Sequence, residues 1–401
     1  MTPPFSVIFL TTFIGMAQGC FLATFCEQLR EQFFKVPASG NLLCYSSIVT
    51  LVLLVSGLII SFAHLGHPER AWRAATMWRT SWLSREVIAL PIFIGIVSAY
   101  ILLNFFPILN PDISFDPFLI KSSLMISSVF GLVLLLVAIF MLYIASKIIQ
   151  KWQLQASVGS ILFVLFILAI LTMAIFYVIL ALVPSLLHTM NFDDIPIHWS
   201  LIVGAAGVLS LSLLFICTAM IYASIRFLQQ WHTPFTVINF ILLGCSSGFV
   251  LFATLSAWFA PYITEFFIKV ALILTLIAGI VRCISLIRNK RLVPKSTTQS
   301  AIGIKNSKIT QTSSGAMAPT FNRHQFNHGK TGFFLRSIKW IFILMVFILP
   351  VALLTFQILT NMQPVLMLLT LLIQYLGLVA ERWYFFADAN HPQNIYYQVI
   401  C

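Results

Sequence analysis

Charge is what this sequence has least of. Of 401 residues only 8% are Asp, Glu, Lys or Arg, while 60% are hydrophobic. A water-soluble domain carries about 25% charged residues. The mean hydropathy is +0.99, so the chain has no means of covering a water-facing surface. Acids are scarcer still, at 11 against 23 basic residues. Cysteine gives no pattern: the seven, at 20, 26, 44, 217, 245, 283 and 401, include no CxxC, and nearly all fall in apolar runs. That excludes a disulfide framework and a cysteine-ligated iron–sulfur cluster as expectations for this chain. Histidine is missing from the middle of every apolar run. The eight, at 64, 67, 188, 198, 232, 324, 328 and 391, lie at run ends or between runs. Two axial ligands at matching depth are therefore lacking, and no haem is expected. No metal site is expected either, since His64 and His67 have no third ligand beside them.

Apolar runs of about twenty residues are what is present, twice the length of a membrane β-strand. The expected fold is all-α, a polytopic transmembrane helical bundle of about ten spans. They are Phe5–Cys26, Leu42–His64, Glu86–Phe106, Phe118–Ala145, Val158–Leu187, Ser200–Ile225, Phe235–Trp258, Phe266–Ile287, Trp340–Thr360 and Pro364–Glu381. The opening MTPPFSVIFLTTFIGMAQGC has no basic residue before its apolar run. A signal peptide would have one, so it reads as a retained first span.

Basic residues set the expected orientation. With the N-terminus inside, alternate loops collect 19 of the 23 Lys and Arg on the inner side. The segments 107–117 and 188–199 carry four Asp and no Lys or Arg. This asymmetry places both termini on the same, cytoplasmic side of a bacterial inner membrane. The net charge of +12 then reflects orientation, and no nucleic-acid partner is expected. Three regions follow: residues 1–287, a bundle of about eight spans with a polar loop at 63–86; residues 288–339, a basic, acid-free linker too poor in apolar residues to fold; and residues 340–401, two further spans and a tail. The linker has two readings, contact with anionic membrane lipid or plain solvation.

The chemistry gathers in AHLGHPERAWRAATMWRTSWLSRE, residues 63–86. By alternation His64, Glu86 and Glu381 meet one membrane face, with Arg70, Arg73, Arg85 and Arg382 nearby and Trp82 among them. A charge at membrane depth is costly and needs a reason. Oxidising a quinol releases two protons and two electrons, and His and a desolvated Glu can accept the protons near neutral pH. A second reading of the same residues is interfacial anchoring: Arg snorkelling, Trp in the aromatic belt and His capping a helix end. A third class, a polytopic transporter of a small solute, would use broken helices, and Pro91 and Pro350 offer kinks.

Two motifs carry a family resemblance. HLGHPERAWRA followed by TSWLSRE, and the C-terminal ERWYFFADANHPQNIYYQ, resemble the membrane anchor subunits of DMSO reductases of the DmsC type. The opening PFSVIFLTTFIGMAQG fits as well, and together they cover about a fifth of the chain. Smaller members of that family have eight spans. The resemblance implies an anchor that holds a molybdopterin catalytic subunit and a ferredoxin-like iron–sulfur subunit at the membrane. It implies menaquinol as substrate in anaerobic electron transport, with no haem or iron–sulfur cluster in the anchor. His64 and Glu86 match the family's quinol-site positions, and Glu381 with Arg382 falls where its last span has an acid–base pair. Arg70, Arg73, Arg85 and Trp82 are expected to orient these groups or dock the partner.

Overall fold

The computed structural model describes residues 5–34, 40–62, 65, 67–105, 198–293, 297–306, 309, 332–360 and 363–389. These are helical: α1 (Phe5–Phe34), α2 (Gly40–Phe62), a 3-10 helix (Pro68–Ala75), α3 (Trp82–Phe105), α4 (His198–Ala223), α5 (Pro234–Phe259) and α6 (Pro261–Lys290). The short α7 (Thr298–Ile302) follows, then α8 (Gly332–Ile343), a π-helical turn (Leu344–Ile348), α9 (Leu349–Leu359) and α10 (Pro364–Ala387). Among the described residues eight helical stretches are long and apolar enough to span a bilayer, with α8 to α9 counting as one. The expected spans Phe118–Ala145 and Val158–Leu187 lie outside the described residues.

Proline sets the helix starts. Pro234, Pro261 and Pro364 each occupy a first-turn position, where a missing N–H costs nothing. Ala260 closes α5 and opens α6, so Pro261 turns one apolar run into a helical hairpin. Pro350 acts differently. It lies inside a span and gives Val346 no amide donor. The turn before it widens, and the Leu349 amide donates to the Leu344 carbonyl five residues back. Pro91 sits within a continuous α3.

Several spans start earlier than the apolar runs suggest. The third begins at Trp82 rather than Glu86, and the eighth at Pro261 rather than Phe266. The first runs on past Cys26 to Glu31. It tolerates Glu27 because Arg30, one turn on, holds that carboxylate through two hydrogen bonds of 2.7 and 2.8 Å.

α1 and α5 run parallel in the middle of the bundle and meet backbone to backbone. A Cβ on Gly19 would collide with the Gly244 carbonyl, and one on Gly248 with the Gly19–Cys20 peptide. Small residues four apart on both helices permit this approach. Phe21 then packs edge-on against Phe93 and Tyr100 of α3, at 5.5 and 5.2 Å. On the other flank Phe252 packs on Phe267 at 4.4 Å. Buried polar contacts cross the interior: Gln374 donates to Ser246 at 3.0 Å, and Ser246 meets Thr275 at 2.7 Å. Leu209, at 75% exposed, and Ile280, at 61%, face outward, as lipid-facing side chains do.

Successive described spans alternate in direction. At one end Gln28 donates to Ser200 at 2.6 Å and accepts from Tyr100 at 2.8 Å, so α3 finishes where α4 begins. The other end gathers the starts of α1, α3, α5 and α8 and the finishes of α2, α4, α6 and α10. The 3-10 helix lies at that second end.

Candidate functional site

The site is built from Glu86 outward. Glu86 sits one turn into α3, 8% exposed. Its Oε1 accepts a hydrogen bond from Thr218 Oγ1 of α4 at 2.6 Å. One turn on from Thr218, Tyr222 lies within electrostatic reach of both Glu86 and Arg382. The Tyr222 ring is enclosed by Trp231, Phe240, Phe385 and Phe386, with centroids 5.3–5.7 Å away. An acid of α3 and a base of α10 are therefore connected through one aromatic residue of α4.

Beyond Tyr222 the charges are denser. The Arg382 guanidinium stacks 3.6 Å over the Phe240 ring. Its Nη1 is 3.6 Å from Glu381 Oε2. Arg282 of α6 brings Nη2 to 2.6 Å from Glu381 Oε1 and lies over the Phe342 ring at 5.6 Å. All three charged side chains are 1–4% exposed. The Arg282 contact is short but poorly aligned, and neither Glu381 oxygen accepts a directed hydrogen bond. Arg282 Nε, Arg382 Nε and both polar atoms of Asn239 are also buried without a hydrogen-bond partner. They surround a cavity of about 10 Å³. One carboxylate between two guanidinium groups leaves a net positive charge out of water. Such a field favours anions, a deprotonated ring hydroxyl among them.

The polar loop lies over this end. Arg85 ties it down: its guanidinium donates to the Trp78 and Arg79 carbonyls, both at 2.9 Å, and stacks over Trp82 at 4.2 Å. Arg73 is exposed and lies 5.7 Å over Trp72. Arg70 is exposed on the same 3-10 helix. Met77 and Trp78 are exposed beside them, at 66% and 53%.

Residues 1–212 match the family profile of the DMSO reductase anchor subunit, DmsC. The chain belongs to this family. It is also 37% identical, over the whole of both 401-residue chains, to a subunit of the sulfite dehydrogenase of Allochromatium vinosum. This anchor is thus the membrane-embedded part of an oxidoreductase assembly, and it associates with a catalytic subunit.

In the anchor, Glu86 and Glu381 are both buried at the end bearing the polar loop, as the alternation of spans requires. Arg382 is buried beside Glu381 and orients the pair rather than facing a partner. Arg85 and Trp82 hold the loop, while Arg70 and Arg73 face outward. His64 lies outside the described residues. Sequence reasoning does not single out Thr218, Tyr222, Asn239 or Arg282. Arg282 leaves a readable trace, a base inside an apolar span five residues before the run ends. The other three are ordinary helix residues whose role depends on how their helices are rotated.

Proposed function

We propose that this chain is the quinone-reactive anchor of a molybdopterin oxidoreductase, with its site under the polar loop. It binds menaquinol, takes up the two protons, and passes the two electrons to the nearest cluster of a ferredoxin-like iron–sulfur subunit. Glu86 carries the reading. It is a buried carboxyl at the end of the bundle, held by Thr218 and placed to accept a proton without a permanent cation against it. General base catalysis needs such a group within reach of the ring hydroxyl. His64, at the adjoining end of the second span, takes the other hydroxyl. Arg282 and Arg382 favour the anionic form of the ring. The exposed Arg70, Arg73, Met77 and Trp78 present a mixed cationic and apolar surface, as partner interfaces do, and the iron–sulfur subunit docks there. Both termini and this docking face lie on the cytoplasmic side, in keeping with the charge asymmetry.

The test is turnover of the assembled complex. His64→Ala and Glu86→Gln each lower quinol-linked turnover about a hundredfold, while activity with a soluble electron donor is unchanged. Normal quinol-linked rates in both variants contradict the assignment.

The full-length relative favours a second reading of direction. As part of a sulfite dehydrogenase, it serves an enzyme that removes electrons from its substrate. The same groups then run in reverse, with Glu86 and His64 giving protons to a quinone as electrons arrive. Sulfite-driven quinone reduction, measured against quinol-driven sulfoxide reduction in the same membranes, decides between them.

A further inference from the structure

Two openings lie at the polar-loop end and share a wall. The enclosed one, about 10 Å³, is lined by Asn239, Arg282, Glu381 and Arg382 among others. The larger, about 190 Å³, is lined by Lys290, Lys339, Tyr384 and Asp388 among others. Gln230 and Asn289 line both.

The enclosed cavity is far too small for a quinone ring. Its volume is about that of one water position, which needs two to four polar partners. Those partners are present: Asn239 Oδ1 and Nδ2, Arg282 Nε, Arg382 Nε and the Glu381 oxygens are all buried with no hydrogen bond. Six such atoms around one small space would be costly if dry. A bound water satisfies several at once, as a donor to the carboxylate and the Asn239 carbonyl and as an acceptor from a guanidinium N–H.

We propose that this cavity holds a water that passes protons between Glu381 and the outer groove, where Asp388 relays them to the aqueous phase. The inference rests on the quinone reading above and adds the route by which its protons leave. A proton taken up by the Glu381 carboxylate moves to the water, which gives a proton to the Asp388 carboxylate. Asp388 then releases it to solvent, and both carboxylates are restored with no change in electrons. Asp388 is suited to the step. Tyr384 donates to its Oδ1 at 3.0 Å, and it lies just beyond the last span, where water reaches it. Burial raises its carboxyl above the usual range, while the Tyr384 hydroxyl, Arg282 and Lys339 draw it back. The charged groups facing the route are Arg282 and Lys290 from α6, Lys339 from α8 and Arg382 from α10. Gln230 and Asn289, on the shared wall, supply the amides along which water would order.

Asn239→Leu and Asp388→Asn in the assembled complex provide the test. Each is expected to lower maximal quinol-linked turnover about tenfold, to leave the KM for quinol unchanged, and to raise the solvent deuterium isotope effect. Asp388→Asn also removes one limb of the pH profile. If Asn239→Leu fails to assemble, Asp388→Asn at the groove edge decides alone. Wild-type turnover, isotope effect and pH profile in the assembled variants overturn the route and leave the quinone site standing. A wild-type complex with no quinone-linked turnover overturns both.

Discussion

Arg282 and Glu381 meet at 2.6 Å inside the bundle, and Arg382 stands 3.6 Å from the same carboxylate. One anion thus serves two buried cations, and the three side chains are not equivalent. Arg282→Gln leaves a Glu381–Arg382 pair. Glu381→Gln leaves two guanidinium groups with no counter-charge. Breaking a buried pair costs about 3–5 kcal/mol when a bare charge remains. Glu381→Gln is therefore expected to lower the unfolding temperature of the solubilised complex more than Arg282→Gln. The reverse order contradicts the pairing.

Thr218 is expected to act through Glu86. Thr218→Val removes the only hydrogen bond described for that carboxyl, and a bond to a charged group is worth about 1.5–3 kcal/mol. Quinol-linked turnover should fall about tenfold, since each 1.4 kcal/mol is a factor of ten. Thr218→Ser keeps the hydroxyl and should stay near wild type. Equal losses in the two variants would mean that packing, not the hydrogen bond, matters.

Gly248 allows α1 and α5 to touch. A Cβ there meets the Gly19–Cys20 peptide, which is backbone and has no rotamer to yield. Overpacking of this kind costs about 1–3 kcal/mol. Gly248→Ala should reduce assembled complex in the membrane, whereas Gly95→Ala, with nothing within 4 Å of its Cβ, should not. Comparison of the two by quantitative blotting of membranes checks the helix contact directly.

Asp388 gives a pH dependence with a definite sign. Burial holds its carboxyl above the ordinary value of 3.8, so the folded chain binds this proton more tightly than the unfolded chain. Stability from this group is present in acid and is lost as pH rises from the ordinary carboxylate range through the raised one. Asp388→Asn should unfold at a higher temperature than wild type at neutral pH. The gap should close toward about pH 4. A variant less stable than wild type at neutrality would show that the Tyr384 hydrogen bond outweighs burial.

The spans are legible because lipid demands unbroken apolar runs, and the eight described ones fall where those runs fall. Their ends are less so. Trp82 and Ser84 read as loop, yet α3 already includes them. The Ser81 hydroxyl accepts from the Ser84 amide at 3.4 Å, and Arg85 folds back onto the Trp78 and Arg79 carbonyls. These local contacts have no apolar signature. Of the site, the shared end of Glu86 and Glu381 follows from alternation alone. Which helix face each acid occupies does not. The Thr218 contact spans 132 positions and depends on how α3 and α4 are rotated against each other, which no periodicity in such uniformly apolar helices records. In the sequence Arg282 reads only as an orientation signal. Its partner on α10 shows that a base in a span can instead fix helix packing.

The central claim is that a quinone binds under the polar loop, against Glu86 and His64. It is tested most directly by titrating a fluorescent quinol-site inhibitor into membranes that contain the assembled complex, with wild type set against Glu86→Gln and His64→Ala. The account predicts a fluorescence change that saturates at one inhibitor per chain in wild type and is lost or strongly weakened in both variants. Binding of equal strength and stoichiometry in all three would contradict it and place the quinone elsewhere.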